Sequence, residues 1–266
     1  VEEDGGGENS ISAKVEDLKD TGYVTPKEMG QNMTANQIYE SGKTIAGELT
    51  KIGINLNLAP VADLASDQNP SYAMRCLGSD ADGVADLLDD FVSGMREGGL
   101  SVTLKTFPGI GNVSADVTES IAENTDSLMT IRDTNFVPYA SGIQAGADCV
   151  MVSNAAYSKL TVKKVPAFMS QDIVTKLLRE ELGFDGIVMT SPLNDNVIEN
   201  NYTNEFAVVE AVKAGCDLIV LPGNFKECYE ALITAVEEGR IDEKVINTSV
   251  RRILQNKIQR GILVLE

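Results

Sequence analysis

Residues 170–191 read SQDIVTKLLREELGFDGIVMTS, and the fold class follows from this one helix-to-strand unit. The first half carries apolar residues at the spacing of one helix face, with Ser170 placed as the N-cap and Gly183 as the C-terminal stop. The second half, GIVMTS from Gly186, is a short and nearly continuous apolar run, as expected of a strand that is buried on both faces. The stretch therefore predicts a helix that leads directly into a parallel strand.

The same alternation continues along the chain. Helical periodicity recurs over 84–95 and 226–239 and again after Asp242, and further apolar runs lie between the helical segments. These runs are INLNLAP from Ile54, SVTLKTF from Ser101, CVMVSN from Cys149 and LIVLPG from Leu218. Alternating strands and helices predict an α/β fold whose parallel strands are joined by right-handed crossovers.

A closed sheet is favoured over an open one. The usual mark of an open, doubly wound nucleotide-binding sheet is a GxGxxG turn after the first strand, and the sequence has none there. We therefore predict a (β/α)8 TIM-type barrel. The runs supply five full strands and the tail of a sixth, so the barrel is predicted to lack its opening strands in this chain. We expect residues 1–266 to form a single barrel domain.

The amino-acid composition excludes several kinds of catalytic site and binding partner. The 266 residues include 22 Lys and Arg against 40 Asp and Glu, a formal net charge of −18, and no histidine. Without an imidazole there is no Ser-His-Asp or Cys-His nucleophile system and no His-ligated metal, so proton transfer falls to carboxylates, Lys, Tyr or Cys. The acidic surface disfavours nucleic acid and membrane-surface partners, and no apolar stretch approaches the ~18–20 residues of a membrane span. We expect no metal and no cofactor.

Polar side chains stand at the predicted carboxyl ends of the strands, where barrel enzymes carry their working residues. These residues are Asp63, Lys105, Asn154, Ser191 and Asn224, joined by Arg75, Asp116 and Thr118 in the following loops. We expect the first four of them to lie at one mouth of the barrel. For each Asp, Asn or Ser the alternative is a helix N-cap or a turn former, which is the commoner role of such residues.

Lys105 does not fit a capping role. It follows Val-Thr-Leu in a buried run, where an unpaired ammonium is costly unless a carboxylate or a ligand meets it. We expect Lys105 and Arg75 to converge on a carboxylate, because two cations left beside each other would repel. Asp63 is the stronger candidate for that carboxylate, and Glu2 is the other.

Seven motifs follow one another along nearly the whole chain. They are VEEDGG from Val1, GINLNLAPVADL from Gly53, RCLGSD from Arg75, KTFPGIG from Lys105, LREELGFDGIVMTSPLN from Leu178, AGCDLIVLP from Ala214 and INTSVRRILQNKI from Ile246. Together they resemble the barrel domain of glycoside hydrolase family 3, in particular its bacterial β-N-acetylhexosaminidase branch. The resemblance implies a (β/α)8 barrel and a retaining reaction, in which an aspartate attacks the anomeric carbon and an Asp-His pair serves as acid and base.

The resemblance also implies that both catalytic positions are changed. The family's nucleophilic aspartate falls on Ser191 and its acid/base histidine falls on Thr118, whereas the partner aspartate is kept as Asp116. A serine without an adjacent base is a poor nucleophile. Asp195 lies four residues further on, about 6 Å away along a helix, which is too far to replace the aspartate. The three catalytic positions are therefore Ser191, Thr118 and Asp116, the first two substituted.

The sugar-binding set that the resemblance implies is retained in part. Arg75 and Lys105 match it, Glu2 replaces a ligand-holding aspartate, and Gly7 replaces the arginine beside that aspartate. The positions of the family's other histidines are occupied by Thr106, Ile110 and Asn154. The candidate substrate-binding residues are Glu2, Asp63, Arg75, Lys105, Thr106 and Asn154.

The leading hypothesis is a catalytically impaired member of the family that binds a saccharide at the barrel mouth, with N-acetylglucosamine-containing sugars as the candidate class. The alternatives are an active glycosidase on β-N-acetylglucosaminides, a lyase that forms a Schiff base at Lys105, and a scaffold whose helices carry the interaction surfaces. Cytoplasmic and extracytoplasmic locations in a bacterium both stay open.

Overall fold

A computed structural model describes residues 1–3, 10–15, 23–113 and 116–264 of the chain. The chain divides into two compact units, one formed by Val1–Asn112 with Met129–Val150 and the other by Val113–Leu128 with Met151–Glu266. The prediction of a single domain over residues 1–266 stays a prediction.

The secondary structure alternates as the sequence predicts. The strands are β1 Leu56–Asn57, β2 Ser101–Phe107, β3 Glu123–Asn124, β4 Cys149–Val152, β5 Ala156–Tyr157 and β6 Ile187–Thr190. The α-helices are α1 Pro26–Asn32, α2 Ala35–Lys51, α3 Pro70–Ala73, α4 Ala81–Glu97, α5 Leu128–Asp133, α6 Phe136–Gln144, α7 Asn196–Glu199, α8 Asn204–Ala214, α9 Phe225–Glu237 and α10 Glu243–Gln259. A π-helix covers Asp172–Glu181, and 3₁₀ turns cover Ile11–Ala13 and Ala167–Met169. In the described part of the chain, no helix combines the length and the apolar character needed to cross a membrane.

In the first unit, β1 pairs in parallel with β2, so that Leu56 lies opposite Ser101. Strand β2 in turn neighbours β4, whose first two residues belong to this unit. Helix α4 packs against α2 and α6 through its buried apolar face, as the periodicity over 84–95 predicts. The approach of α2 to α4 is close, because a Cβ atom on Gly94 would lie 2.0 Å from the backbone oxygen of Tyr39.

In the second unit, the rest of β4 neighbours β6, and β3 pairs in parallel with β5. The π-helix precedes β6, and Gly183 follows that helix with a φ of +68°, which confirms the predicted stop. The predicted N-cap is displaced by one residue, since Gln171 takes that place. The Ser170 hydroxyl nevertheless accepts a bond from the Ile173 N–H at 3.4 Å.

The run LIVLPG from Leu218 was predicted as a strand, and that prediction is wrong. Leu218 forms one isolated parallel bridge with Met189, and beyond it only single backbone contacts follow, such as the Leu193 N–H donating to the Val220 carbonyl at 2.9 Å. The strand does not continue because the Val220 N–H donates to the Thr190 hydroxyl, at 3.0 Å, instead of to a backbone carbonyl of β6. The next residue, Leu221, has a φ of 45° and turns the chain away.

A fully buried carboxylate, Asp217, holds this end of the second unit together. It accepts a bond from Arg179 Nη2 at 2.5 Å and one from Arg252 Nη1 at 3.1 Å. It also accepts from the Ser249 hydroxyl at 2.7 Å and from the Val188 N–H at 2.9 Å. The π-helix, β6 and α10 are therefore tied to one anion whose desolvation is offset by charged donors.

We expect Asp217→Asn to lower the free energy of unfolding by about 3 kcal/mol, because a buried guanidinium then loses its counter-charge. Urea unfolding followed by circular dichroism measures this. The matched control is Asp185→Asn, which neutralises an exposed carboxylate of the same unit and should change stability by less than about 0.5 kcal/mol. Equal midpoints for the two variants would contradict the structural role of Asp217.

Candidate functional site

A carboxylate with two cations forms the first polar cluster, in the first unit. Glu2 Oε1 lies 2.8 Å from Lys105 Nζ and also accepts a bond from Arg75 Nη2. The Lys105 side chain is only 5% exposed, whereas that of Glu2 is 26% exposed. Lys105 and Arg75 therefore converge as predicted, with the shared carboxylate at the edge of solvent.

The predicted preference for Asp63 as that carboxylate is wrong, because among the described residues both cations pair with Glu2. Glu2 is placed by its neighbours in the chain, which lie along β1. The Leu58 N–H donates to the Val1 carbonyl at 2.6 Å, and the Glu3 N–H donates to Asn57 Oδ1 at 2.8 Å. Sequence reasoning could name both acids, but it could not tell which one faces the cations.

Asp63 is fully buried and is satisfied by neutral donors. Its Oδ1 accepts from the Thr106 N–H at 3.2 Å and from the Tyr139 hydroxyl at 2.9 Å. Its Oδ2 accepts from the Tyr72 hydroxyl at 2.8 Å, the Ile110 N–H at 3.0 Å and the Thr106 hydroxyl at 3.1 Å. Burial raises the pKa of Asp63, and these hydrogen bonds oppose the rise.

The Asp63 shell also shapes the surroundings of the cations. The Tyr72 hydroxyl lies 2.9 Å from Thr106 Oγ1, and the guanidinium of Arg75 stacks 5.4 Å from the centre of the Tyr72 ring. Burial, followed by the nearby charge of Asp63, raises the pKa of Tyr72 well above its usual value. Tyr72 is therefore a neutral hydroxyl that links Asp63 to Arg75. The motifs that identified Asp63 and Arg75 gave no signal for it.

Ser191 follows β6 in the second unit and is 6% exposed. Its hydroxyl donates to the Val152 carbonyl at 2.9 Å, and its N–H donates to the same oxygen at 2.9 Å. The hydroxyl proton is thus directed at a peptide oxygen, which cannot act as a base to activate the serine.

Asp116 and Thr118 form a small local turn. Asp116 Oδ1 accepts from the Thr118 N–H at 2.8 Å and from the Thr118 hydroxyl at 2.7 Å, and both residues are exposed. The turn is anchored to the start of α7, because the Thr118 carbonyl accepts from the Val197 N–H at 2.8 Å. Glu119 accepts both bonds of the Asn196 amide, at 2.9 and 3.1 Å.

Asn154 and Asp195 form a third contact in the second unit. Asn154 Nδ2 donates to Asp195 Oδ2 at 2.8 Å and lies 3.5 Å from the Pro192 carbonyl. Burial, and next the charge of Asp116, raise the pKa of Asp195 to about 6, with Glu119 adding to the rise and the Asn154 bond opposing it. A carboxyl that titrates near neutrality is a marker of functional sites in general.

The predicted residues thus gather within each unit. Glu2, Arg75 and Lys105 form one cluster, and Asp63 binds Thr106 beside it. Asn224 is the N-cap of α9, which is the structural alternative considered for such residues. Gly7 lies outside the described residues. Across the described ranges, no group of three or more His, Cys, Asp or Glu side chains is placed to hold a metal ion.

Comparison with known proteins places these residues in a family. The sequence profile described as "Glycosyl hydrolase family 3 N terminal domain" matches residues 11–256. A β-hexosaminidase of Xylella fastidiosa (strain M23) is 32% identical over 183 residues, which cover 69% of this chain and 54% of that protein. A β-N-acetylglucosaminidase/β-glucosidase of Cellulomonas fimi is 27% identical, over 95% of this chain and 48% of that protein. The chain therefore spans about half the length of the curated relatives it matches.

A solved structure shows the same relationship. The glycoside hydrolase family 3 β-N-acetylglucosaminidase from Paenibacillus sp. str. FPU-7 superposes with a TM-score of 0.86 at 33% identity, covering 91% of this chain and 48% of that one. N-terminal domains of the family are (β/α)8 TIM-type barrels, so the predicted α/β fold class is confirmed. The chain belongs to glycoside hydrolase family 3, through the family's N-terminal domain.

Proposed function

We propose that this chain binds carbohydrate and is impaired in the retaining hydrolysis that the family resemblance implies. The observation that carries the proposal is the Ser191 hydroxyl, which donates to the Val152 carbonyl. A retaining glycosidase needs an ionised group that attacks the anomeric carbon and a second group that moves the proton. At the matching positions this chain has Ser191 and Thr118, and no histidine is present to activate either hydroxyl.

The binding half of the proposal rests on the first unit. Lys105 and Arg75 surround one part-exposed carboxylate, Glu2, so that ammonium, guanidinium and carboxylate groups are all within reach of sugar hydroxyls. Thr106 and Asp63 are linked to this cluster through the Tyr72 hydroxyl, which contacts both, while the Tyr72 ring contacts Arg75. In the second unit, Asn154 is the proposed binding residue. Because the matched relatives are named for β-N-acetylglucosaminidase and β-hexosaminidase activity, we propose N-acetylglucosamine-containing saccharides as the ligand class.

The Schiff-base alternative at Lys105 is not favoured. A lysine attacks a carbonyl only as the neutral amine. Lys105 Nζ lies 2.8 Å from Glu2 Oε1, and this ion pair stabilises the protonated ammonium, which has no lone pair for attack.

We expect the unmodified chain to release no measurable p-nitrophenol from p-nitrophenyl N-acetyl-β-glucosaminide. Ser191→Asp combined with Thr118→His should raise the rate by more than the product of the two single effects, because the nucleophile and the acid/base group act as a unit. Asp116 is retained and can orient the new imidazole. The control is Ser191→Asn with Thr118→His. Asn has nearly the same size and shape as Asp but no carboxylate nucleophile, so this variant should stay inactive. Robust turnover by the unmodified chain, lost in Asp116→Asn, would refute the impairment.

We expect Lys105→Met to weaken binding of N,N′-diacetylchitobiose about tenfold to a hundredfold, because a charge-assisted hydrogen bond is lost. Isothermal titration calorimetry measures the affinity. Lys43→Met is the matched control, since Lys43 also pairs with a carboxylate of the first unit, Glu97, but at an exposed position. Unchanged affinity in a folded Lys105→Met protein would argue against binding at this cluster.

A further inference from the structure

The side-chain oxygen of Asn154, in the second unit, is a buried hydrogen-bond acceptor that is left unsatisfied by the residues that the structure describes. Asn154 is 1% exposed, and its Oδ1 has no hydrogen-bond partner among the described residues. A buried acceptor left unpaired costs stability, and native proteins leave few of them. Nδ2 of the same amide is engaged with Asp195 at 2.8 Å.

The orientation of the Asn154 amide follows from the charge of Asp195. An ionised carboxylate can only accept, so the amide must turn its NH₂ group toward Asp195 and its oxygen away. If Asp195 is protonated, its O–H can donate, and an amide turned by 180° then satisfies Oδ1 within the protein. The ionisation of Asp195 thus decides whether Asn154 offers an acceptor.

We infer that Asp195 is a positioning residue, which in its ionised form holds Asn154 Oδ1 ready to accept a hydrogen bond from a saccharide hydroxyl or acetamido N–H. This inference rests on the proposed carbohydrate binding. It assigns a role to Asp195, which does not match the family's catalytic positions. It also requires that the ligand present a hydrogen-bond donor to Asn154 Oδ1.

The charges around Asp195 place its titration in an accessible range. Asp116 and Glu119 face it from the turn before β3, and Asn154 donates to it from the segment after β4. The turn is held in place by the Val197 N–H and the Asn196 amide. Burial and the two acidic neighbours raise the pKa of Asp195 to about 6. As the pH falls through this value, Asp195 becomes protonated and no longer holds the Asn154 amide in the binding orientation. Saccharide binding should therefore weaken.

The test is calorimetry of the 266-residue chain with N,N′-diacetylchitobiose at pH 5.0 and 7.5. We expect about threefold to tenfold weaker binding at the lower pH, equivalent to the loss of one hydrogen bond. Asp195→Asn should abolish the pH dependence and Asp195→Glu should retain it in part. Asp185→Asn, the exposed control, should behave as the unmodified chain. Asp116→Asn should move the midpoint to lower pH, because a neighbouring negative charge is removed.

A second readout separates this inference from the proposed function. The side-chain amide signals of Asn154, assigned by their loss in Asn154→Asp, should titrate in ¹⁵N spectra with a midpoint near pH 6 and should not do so in Asp195→Asn. If the chain binds no saccharide at either pH, the proposed function and the ligand role of Oδ1 both fail, and the spectra alone decide whether Asp195 orients the amide. The same pH dependence of binding in Asp195→Asn, or an Asn154 amide that does not titrate, would overturn the inference.

Discussion

The first unit is organised by the need to satisfy Asp63, a carboxylate buried without a cation in its hydrogen-bonded shell. Within the described chain, its two oxygens accept from two backbone amides and three hydroxyls. Because an unsatisfied buried charge costs several kcal/mol, each donor must hold its place. The donors come from α3, the end of β2, the loop after it and α6. One buried carboxyl group therefore ties together the end of β2, which carries Lys105, and α3, which Arg75 follows.

Asp63 is hydrogen-bonded by neutral donors, whereas Glu2 forms the ion pairs with Lys105 and Arg75. The Glu2 side chain is 26% exposed, so water reaches this carboxylate, whereas the Lys105 ammonium that it pairs with is buried. Asp217 differs, since its side chain is fully buried and its pairing with Arg179 and Arg252 supports the fold. The two carboxylates thus differ in exposure, because Glu2 is open to solvent and Asp217 is enclosed by the fold.

The sequence predicts local structure better than it predicts partners. SVTLKTF matches β2 residue for residue, because its short run of buried, β-branched and aromatic residues favours a strand. LIVLPG has the same pattern but forms only a bridge, since the Thr190 hydroxyl takes the Val220 N–H that the ladder would use. The sequence names Asp63 and Glu2 as candidate partners of Lys105 but favours the wrong one. Asp63 is satisfied instead by hydroxyls such as that of Tyr139, which reaches it across 76 positions of sequence and has no motif of its own.

The histidine-free composition also changes how the site can respond to its surroundings. With no imidazole, one way to titrate near neutral pH is a carboxyl group whose pKa is raised by burial and by like charges, and Asp195 meets both conditions. At Ser191, by contrast, a neutral hydroxyl bonds Val152 without any charge to desolvate, so the strand end is satisfied at every pH. A serine at this position therefore bonds the end of β6 to β4 without placing a charge there. Under the function proposed above, the fold and the hydrolytic reaction place separate requirements on this one residue, and Ser191 meets only the first.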